Sequence, residues 1–182
     1  MRSNIARFLS FSIAVAVVVG LLRIVNWLPM EFQHGSLRRY DSIEKLRAAL
    51  NIRDVYVPAY FPQSIAWPPA ELAAQSRPFV AVLMKFNSAD AGDELLVITQ
   101  SAQDIFHREA SVELTKITER AFQQLHGKTA FLEVGACGSI EPCSRISWRE
   151  GEHSIVVVMK SAPFELIRIA DSMTHIDDQP RR

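Results

Sequence analysis

The sequence predicts an α+β protein: an N-terminal transmembrane helix, then an antiparallel sheet with helices packed on one face. Three observations predict it. Residues 8–22 pass without a charge. From Arg77 onward, short runs of β-branched and aromatic residues alternate with turn residues, as hairpins without helices alternating between them. Helical spacing frames these runs, at 42–50 and near the C-terminus. The 182 residues, 48% apolar and 22% charged, suit one domain plus an extra segment and argue against disorder. With Lys+Arg and Asp+Glu both at 20, there is no uniform basic field to hold phosphates, so nucleic acid is not an expected partner.

Taken in order, the first element is the membrane segment. Phe8 to Leu22 rises about 22 Å as a helix, short of the roughly 30 Å hydrocarbon core. Ile24, Val25, Trp27 and Leu28 resume the run. If Arg23 snorkels to the far headgroups, residues 8–28 reach about 31 Å and Trp27 falls in the interfacial belt. Arg2 and Arg7 precede the run, and no acid occurs before Glu31. The one Ala-x-Ala, Ala14 to Ala16, lies inside the run rather than after it, so an uncleaved anchor is expected. Lipoprotein processing is excluded because the only cysteines are Cys137 and Cys143. The alternative is a buried N-terminal helix of a soluble protein, against which stands the length of the run. The expected organisation is an anchor at 1–30, a linker at 31–40, an exported domain at 41–174 and a flexible tail at 175–182. Residues 8–28 then cross the inner membrane once and the domain lies in the periplasm. Without the anchor, 17 basic face 20 acidic side chains, which does not fit a polybasic lipid-binding surface.

In the domain, Asp41 or Ser42 can cap a helix over 42–50, in which Ile43, Leu46 and Leu50 share a face. The prolines of Val55–Pro58, Tyr60–Pro62 and Trp67–Pro69 forbid a central strand and predict an edge strand followed by an ordered aromatic loop. That loop is either a binding lip, with Tyr56, Tyr60, Phe61, Trp67 and also Trp148 as candidate binding residues, or a rigid cover over the core; the cover is the preferred reading. Phe79–Phe86 and Glu94–Gln100 form a hairpin. Between Glu109 and Leu125, Leu114, Ile117, Ala121 and Leu125 keep helical spacing while Val112 and Leu114 alternate as a strand. Strands follow at 129–134, 145–149 and 154–160, with a turn at Glu150–Glu152. The last helix opens at SAPFEL, with Ser161 as cap and Pro163 in the first turn, and ends near Met173.

Cys137 and Cys143 stand in the turn-rich GACGSIEPC, so they can meet in a disulfide that the oxidising side of a membrane permits. A bridge closing so short a loop contributes roughly 2 kcal/mol in the chain-entropy model. Two reduced thiols and a soft metal site are the alternatives, but no CxxC repeat and no ligand-spaced histidine accompanies the pair. No metal or cofactor is expected.

Two segments carry a resemblance. The helix followed by VYVPAYFPQSI, and the closing SWREG, strand and FELIRIADSM, resemble a bacterial exported domain of unknown function found in lipoproteins and beside anti-sigma factors. That family is similar in fold to the outer-membrane lipoprotein carrier and the periplasmic sigma-E regulator. The resemblance covers about residues 41–174 and implies a curved sheet, an open half-barrel, with helices in its concave face. Its motifs are structural rather than catalytic. The Trp67–Pro69 segment and the cysteine loop depart from it.

No GxSxG, P-loop, GxGxxG or HExxH is present. His34, His107, His126, His153 and His175 are scattered, and the pairs Asp93/Glu94, Glu150/Glu152 and Asp177/Asp178 read as solvated turns or tail. The expected function is a non-enzymatic, membrane-anchored envelope domain that binds an apolar ligand, a lipoprotein or a protein partner in a sensor or accessory role. The alternatives are a structural subunit of a membrane complex, or an envelope hydrolase in which a histidine meets a carboxylate.

Overall fold

The computed structural model describes residues 37–52, 54–103, 112–138 and 141–175, with Val15, residues 17–20 and Arg23 besides. It divides into two units, Met1–Ser36 and Leu37–Arg182. In the first, the described residues are helical. Among the described residues no helix is long and apolar enough to cross a membrane; most of the expected anchor at 8–28 lies outside them, as do His34, His107, Asp177 and Asp178.

The second unit is built on an open, wholly antiparallel eight-stranded sheet in the order β1-β3-β4-β5-β9-β8-β7-β6. Its strands are β1 (Arg38–Arg39), β3 (Glu71–Gln75), β4 (Ala81–Asn87), β5 (Glu94–Ser101), β6 (Leu114–Leu125), β7 (Lys128–Cys137), β8 (Glu141–Glu150) and β9 (His153–Met159). Two meanders, β3-β4-β5 and β6-β7-β8-β9, are fused because β9 returns to pair with β5. A separate two-stranded sheet joins β2 (Tyr56–Pro58) to β10 (Met173–His175). Two helices complete the unit, α1 (Ile43–Leu50) and α2 (Pro163–Asp171).

Ser42 caps α1 by accepting from the Lys45 amide at 3.2 Å, and Asn51 in the left-handed region ends the helix. The expected hairpin is β4–β5, and the proline-bearing strand β2 stands outside the main sheet. Other expectations need correction. The linker was expected to run to residue 40, but Arg38 and Arg39 pair with Ala74 and Ala73, so the fold begins before Asp41. Ser161 does not cap α2; Ala162 takes that place without a side-chain bond, and Pro163, which lacks an amide hydrogen, opens the helix. The helix stops at Asp171, and Met173 to His175, expected as helix end and frayed tail, are held as a strand by β2.

The ambiguous stretch after Glu109 becomes β6, and the reason for its helical spacing is visible. Bulges interrupt the register between Leu114 and Lys116 and between Ile117 and Glu119. An extra residue on one strand reverses the alternation, so Leu114 and Ile117, three apart, land on one face. The β6–β7 connection is His126–Gly127, both with positive φ, as a two-residue hairpin loop of the primed type requires. Gly135 sits opposite the second bulge, where a Cβ would lie 1.8 Å from the Lys116 carbonyl oxygen, so the close approach of β6 to β7 needs glycine.

One face of the sheet carries the main core. Met84, Phe86, Leu96, Ile98, Ile146 and Ile155 are fully buried against Leu46 of α1 and Leu166 and Ile169 of α2. Val57 of β2 and Met173 of β10 belong to the same cluster. At about 25 cal/mol per Å2 of apolar surface, each such side chain contributes roughly 1.5–3 kcal/mol, which makes this face the chief source of stability. The opposite face carries a smaller cluster of Leu83, Val97, Val112, Leu114 and the bonded pair Cys137–Cys143. Their Cα atoms are 5.3 Å apart, and the bridge ties the end of β7 to the start of β8.

Candidate functional site

The helix-bearing face of the sheet is filled by the protein's own side chains. Open space lies at the rim instead. A recess of about 720 Å3 is bounded by the start of α1, the segment from Trp67 to Leu72 and the ends of β4 and β5.

Its aromatic wall is fixed by backbone bonds. The Ala66 amide donates to the Asn87 carbonyl at 2.9 Å and the Ala70 amide to the Lys85 carbonyl at 2.8 Å. Between these two staples Trp67, Pro68 and Pro69 stand out from β4. The indole packs on Phe61 and Phe86, with ring centroids at 5.2 and 6.1 Å, yet Trp67 remains 58% exposed. Two aromatic neighbours and two stapled ends hold an exposed indole in one place.

The polar wall is a chain of alternating charges. Arg39 Nε donates to Glu71 Oε1 at 3.1 Å. Lys85 Nζ lies 3.5 Å from Glu71 Oε2 and 3.3 Å from Glu94 Oε2. Glu94 Oε1 accepts from the Val112 amide at 3.3 Å. The Lys85 and Glu94 side chains are only 17% and 15% exposed, so each charge relies on its partners for what water no longer supplies. At the outer edge the Asp41 carboxylate accepts from Lys45 Nζ at 2.7 Å, and that hydrogen bond and charge hold its pKa below the ordinary value. The Glu44 carboxyl is likewise lowered, first by a bond to its own amide and then by the Ser42 hydroxyl.

The five candidate aromatics separate. Tyr56 packs edge-on against His175 at 5.6 Å. Its amide donates to Gln100 Oε1 at 2.9 Å, and the Gln100 side-chain amide donates back to the Tyr56 carbonyl. The buried glutamine thus offers β2 the two bonds that a neighbouring strand would offer. Tyr60 donates its hydroxyl to Glu165 Oε2 at 2.9 Å and lies under the Arg168 guanidinium at 4.1 Å. Its phenol is raised above its ordinary pKa, chiefly by burial and then by that hydrogen bond. Phe61 links Trp67 to Phe86. Trp148 is 7% exposed and belongs to the core on β8. Phe61 and Trp67 are therefore brought together, Tyr56 and Tyr60 are parts of the cover, and Trp148 is a packing residue.

Glu94 corrects the reading of Asp93/Glu94 as solvated: it is drawn inward by Lys85. Glu150 likewise pairs with Lys128. His126 Nε2 lies 3.6 Å from Asp171 Oδ1 and His175 Nε2 3.4 Å from Asp54 Oδ1; none of the four lines the recess. Sequence reasoning missed Arg39, Glu71 and Lys85. The available signal was Lys85 itself, a lone charge inside the apolar run FVAVLMKF. No family model, curated protein or solved structure matches this chain.

Proposed function

We propose that this protein is a non-enzymatic binding module of the bacterial envelope, held at the inner membrane by residues 8–28, which meets its ligand or partner at the recess beside Trp67. The observation that carries the binding role is the stapled, exposed indole set against a paired chain of charges. A packed core gains nothing from leaving so large an apolar ring in water, and its fixed position lowers the entropy lost on binding. Export is supported by the uncharged run after Arg2 and Arg7, and agrees with the bond between Cys137 and Cys143. The resemblance of VYVPAYFPQSI and the closing SWREG to exported domains points the same way. A sensor or accessory role follows from a binding site on a tethered domain.

The experiment has two arms. Alkaline phosphatase fused after Arg182 is expected to be active, which requires export; activity only of a cytosolic reporter at that position overturns the location. A photo-crosslinking phenylalanine analogue at position 67 is expected to give a discrete adduct in intact cells, with none from position 122, a second exposed aromatic site. Equal labelling at both positions, or none at 67, overturns the recess as the binding site.

A further inference from the structure

The chemistry of the recess narrows its ligand, on the reading that the recess is a binding site. We propose that it binds a neutral saccharide, a short glycan segment whose pyranose face stacks on Trp67 while its hydroxyls meet Glu71, Glu94 and Asn87.

The argument is one of elimination by charge. Glu71 and Glu94 are already neutralised by Arg39 and Lys85 at 3.1–3.5 Å. A cationic ligand must compete with those two side chains for the same carboxylates. An anion faces a lining with four carboxylates, Asp41, Glu44, Glu71 and Glu94, against two cations. A purely apolar lipid chain would cover Lys85 and Glu94 without replacing the water they lose, which is costly for partly buried charges. A neutral polyol avoids all three penalties. A carboxylate has about four acceptor sites. The contacts described above use two on Glu71, from Arg39 and Lys85, and two on Glu94, from Lys85 and the Val112 amide. The remaining sites can accept from sugar hydroxyls, whose oxygens can in turn accept from the Asn87 amide, without breaking the ion chain. The axial C–H bonds of a pyranose form a flat, weakly positive surface that suits the negative face of an indole. A volume of about 720 Å3 lies within the roughly 300–1,000 Å3 of small-ligand sites.

The test uses the full-length chain in a polyoxyethylene detergent, which carries no sugar. Maltotriose, cellotriose and triacetylchitotriose are titrated by calorimetry and by tryptophan fluorescence. At least one is expected to bind, with Trp67→Ala weakening it about tenfold or more and Glu94→Gln about threefold. Phe122→Ala, distant from the recess in the fold, is expected to leave the affinity unchanged. Binding that survives Trp67→Ala overturns the recess as the sugar site. If no saccharide binds but tetralysine or phosphatidylglycerol vesicles change the fluorescence in a Trp67-dependent way, the saccharide is wrong and the binding module stands. If none of these probes reaches Trp67, and position 67 gives no crosslink in cells, both readings fall.

Discussion

Tyr60 and Trp67 stand seven positions apart on one aromatic segment, and the fold uses them in opposite ways. Tyr60 is fastened through its side chain: its hydroxyl reaches Glu165, its ring lies under Arg168, and its amide donates to the Ser172 hydroxyl at 3.1 Å. Trp67 is fastened chiefly through its flanking backbone, its ring resting on Phe61 and Phe86, and the residue stays 58% exposed. The difference teaches that an aromatic becomes a cover or a platform according to which of its atoms are held. A ring whose polar tip is engaged by a helix is half-buried and turned to packing. A ring held through its flanking chain keeps more than half of the residue's surface available.

The comparison can be broken at its root with Phe86→Ala, since Phe86 is fully buried and supports both Phe61 and Trp67. A loss of about 3–5 kcal/mol is expected from chemical denaturation, together with loss of any Trp67-dependent ligand signal; a loss below about 1 kcal/mol would show that the segment stands without it. Gln100→Leu comes next. It removes both bonds to Tyr56 and is expected to cost on the order of 2–3 kcal/mol, concentrated in faster hydrogen exchange of β2 and β10. Uniform exchange across the sheet would mean that the cover and the sheet unfold as one. Tyr60→Phe has a smaller effect with a pH signature. Because the folded-state pKa of Tyr60 is raised above 10.0, its contribution is complete below about pH 10 and is lost as the pH rises through the folded value. The variant should therefore lose less stability than the wild type in alkaline titration, and parallel curves would refute the link to Glu165. Acid works in the other direction at α1: the lowered Asp41 and Glu44 groups stabilise above their unfolded values of 3.8 and 4.5 and lose that contribution as the pH falls through their folded values. Trp67→Ala should be smallest in stability, within about 0.5 kcal/mol, while weakening ligand binding about tenfold or more. A large destabilisation would turn the platform back into a cover.

Much of the frame was legible from periodicity and punctuation. Ser42 and Pro163 marked the starts of the two helices, and the runs at 79–86 and 94–100 marked a hairpin, because caps and alternation are local properties. The candidate site was less legible. Arg39, Glu71, Lys85 and Glu94 lie on four strands, and their meeting depends on the pairing of β1 with β3 and of β4 with its two neighbours. Trp148 looked equal to Trp67 in composition. It differs because its position on β8 turns it toward the core beside Ile146. The helical spacing runs on to Met173, yet the place of Met173 is set by Pro58, more than a hundred residues earlier.

At the far side of the molecule β6 closes the sheet with a row of backbone groups facing outward over twelve residues. Such a margin invites stacking into fibres when many copies crowd together. Its two bulges twist and interrupt the margin, and Lys116, Glu119 and Arg120 sit along it as charged guards. The irregularity that lent this strand a helical spacing is thus also a feature that blunts edge-to-edge pairing.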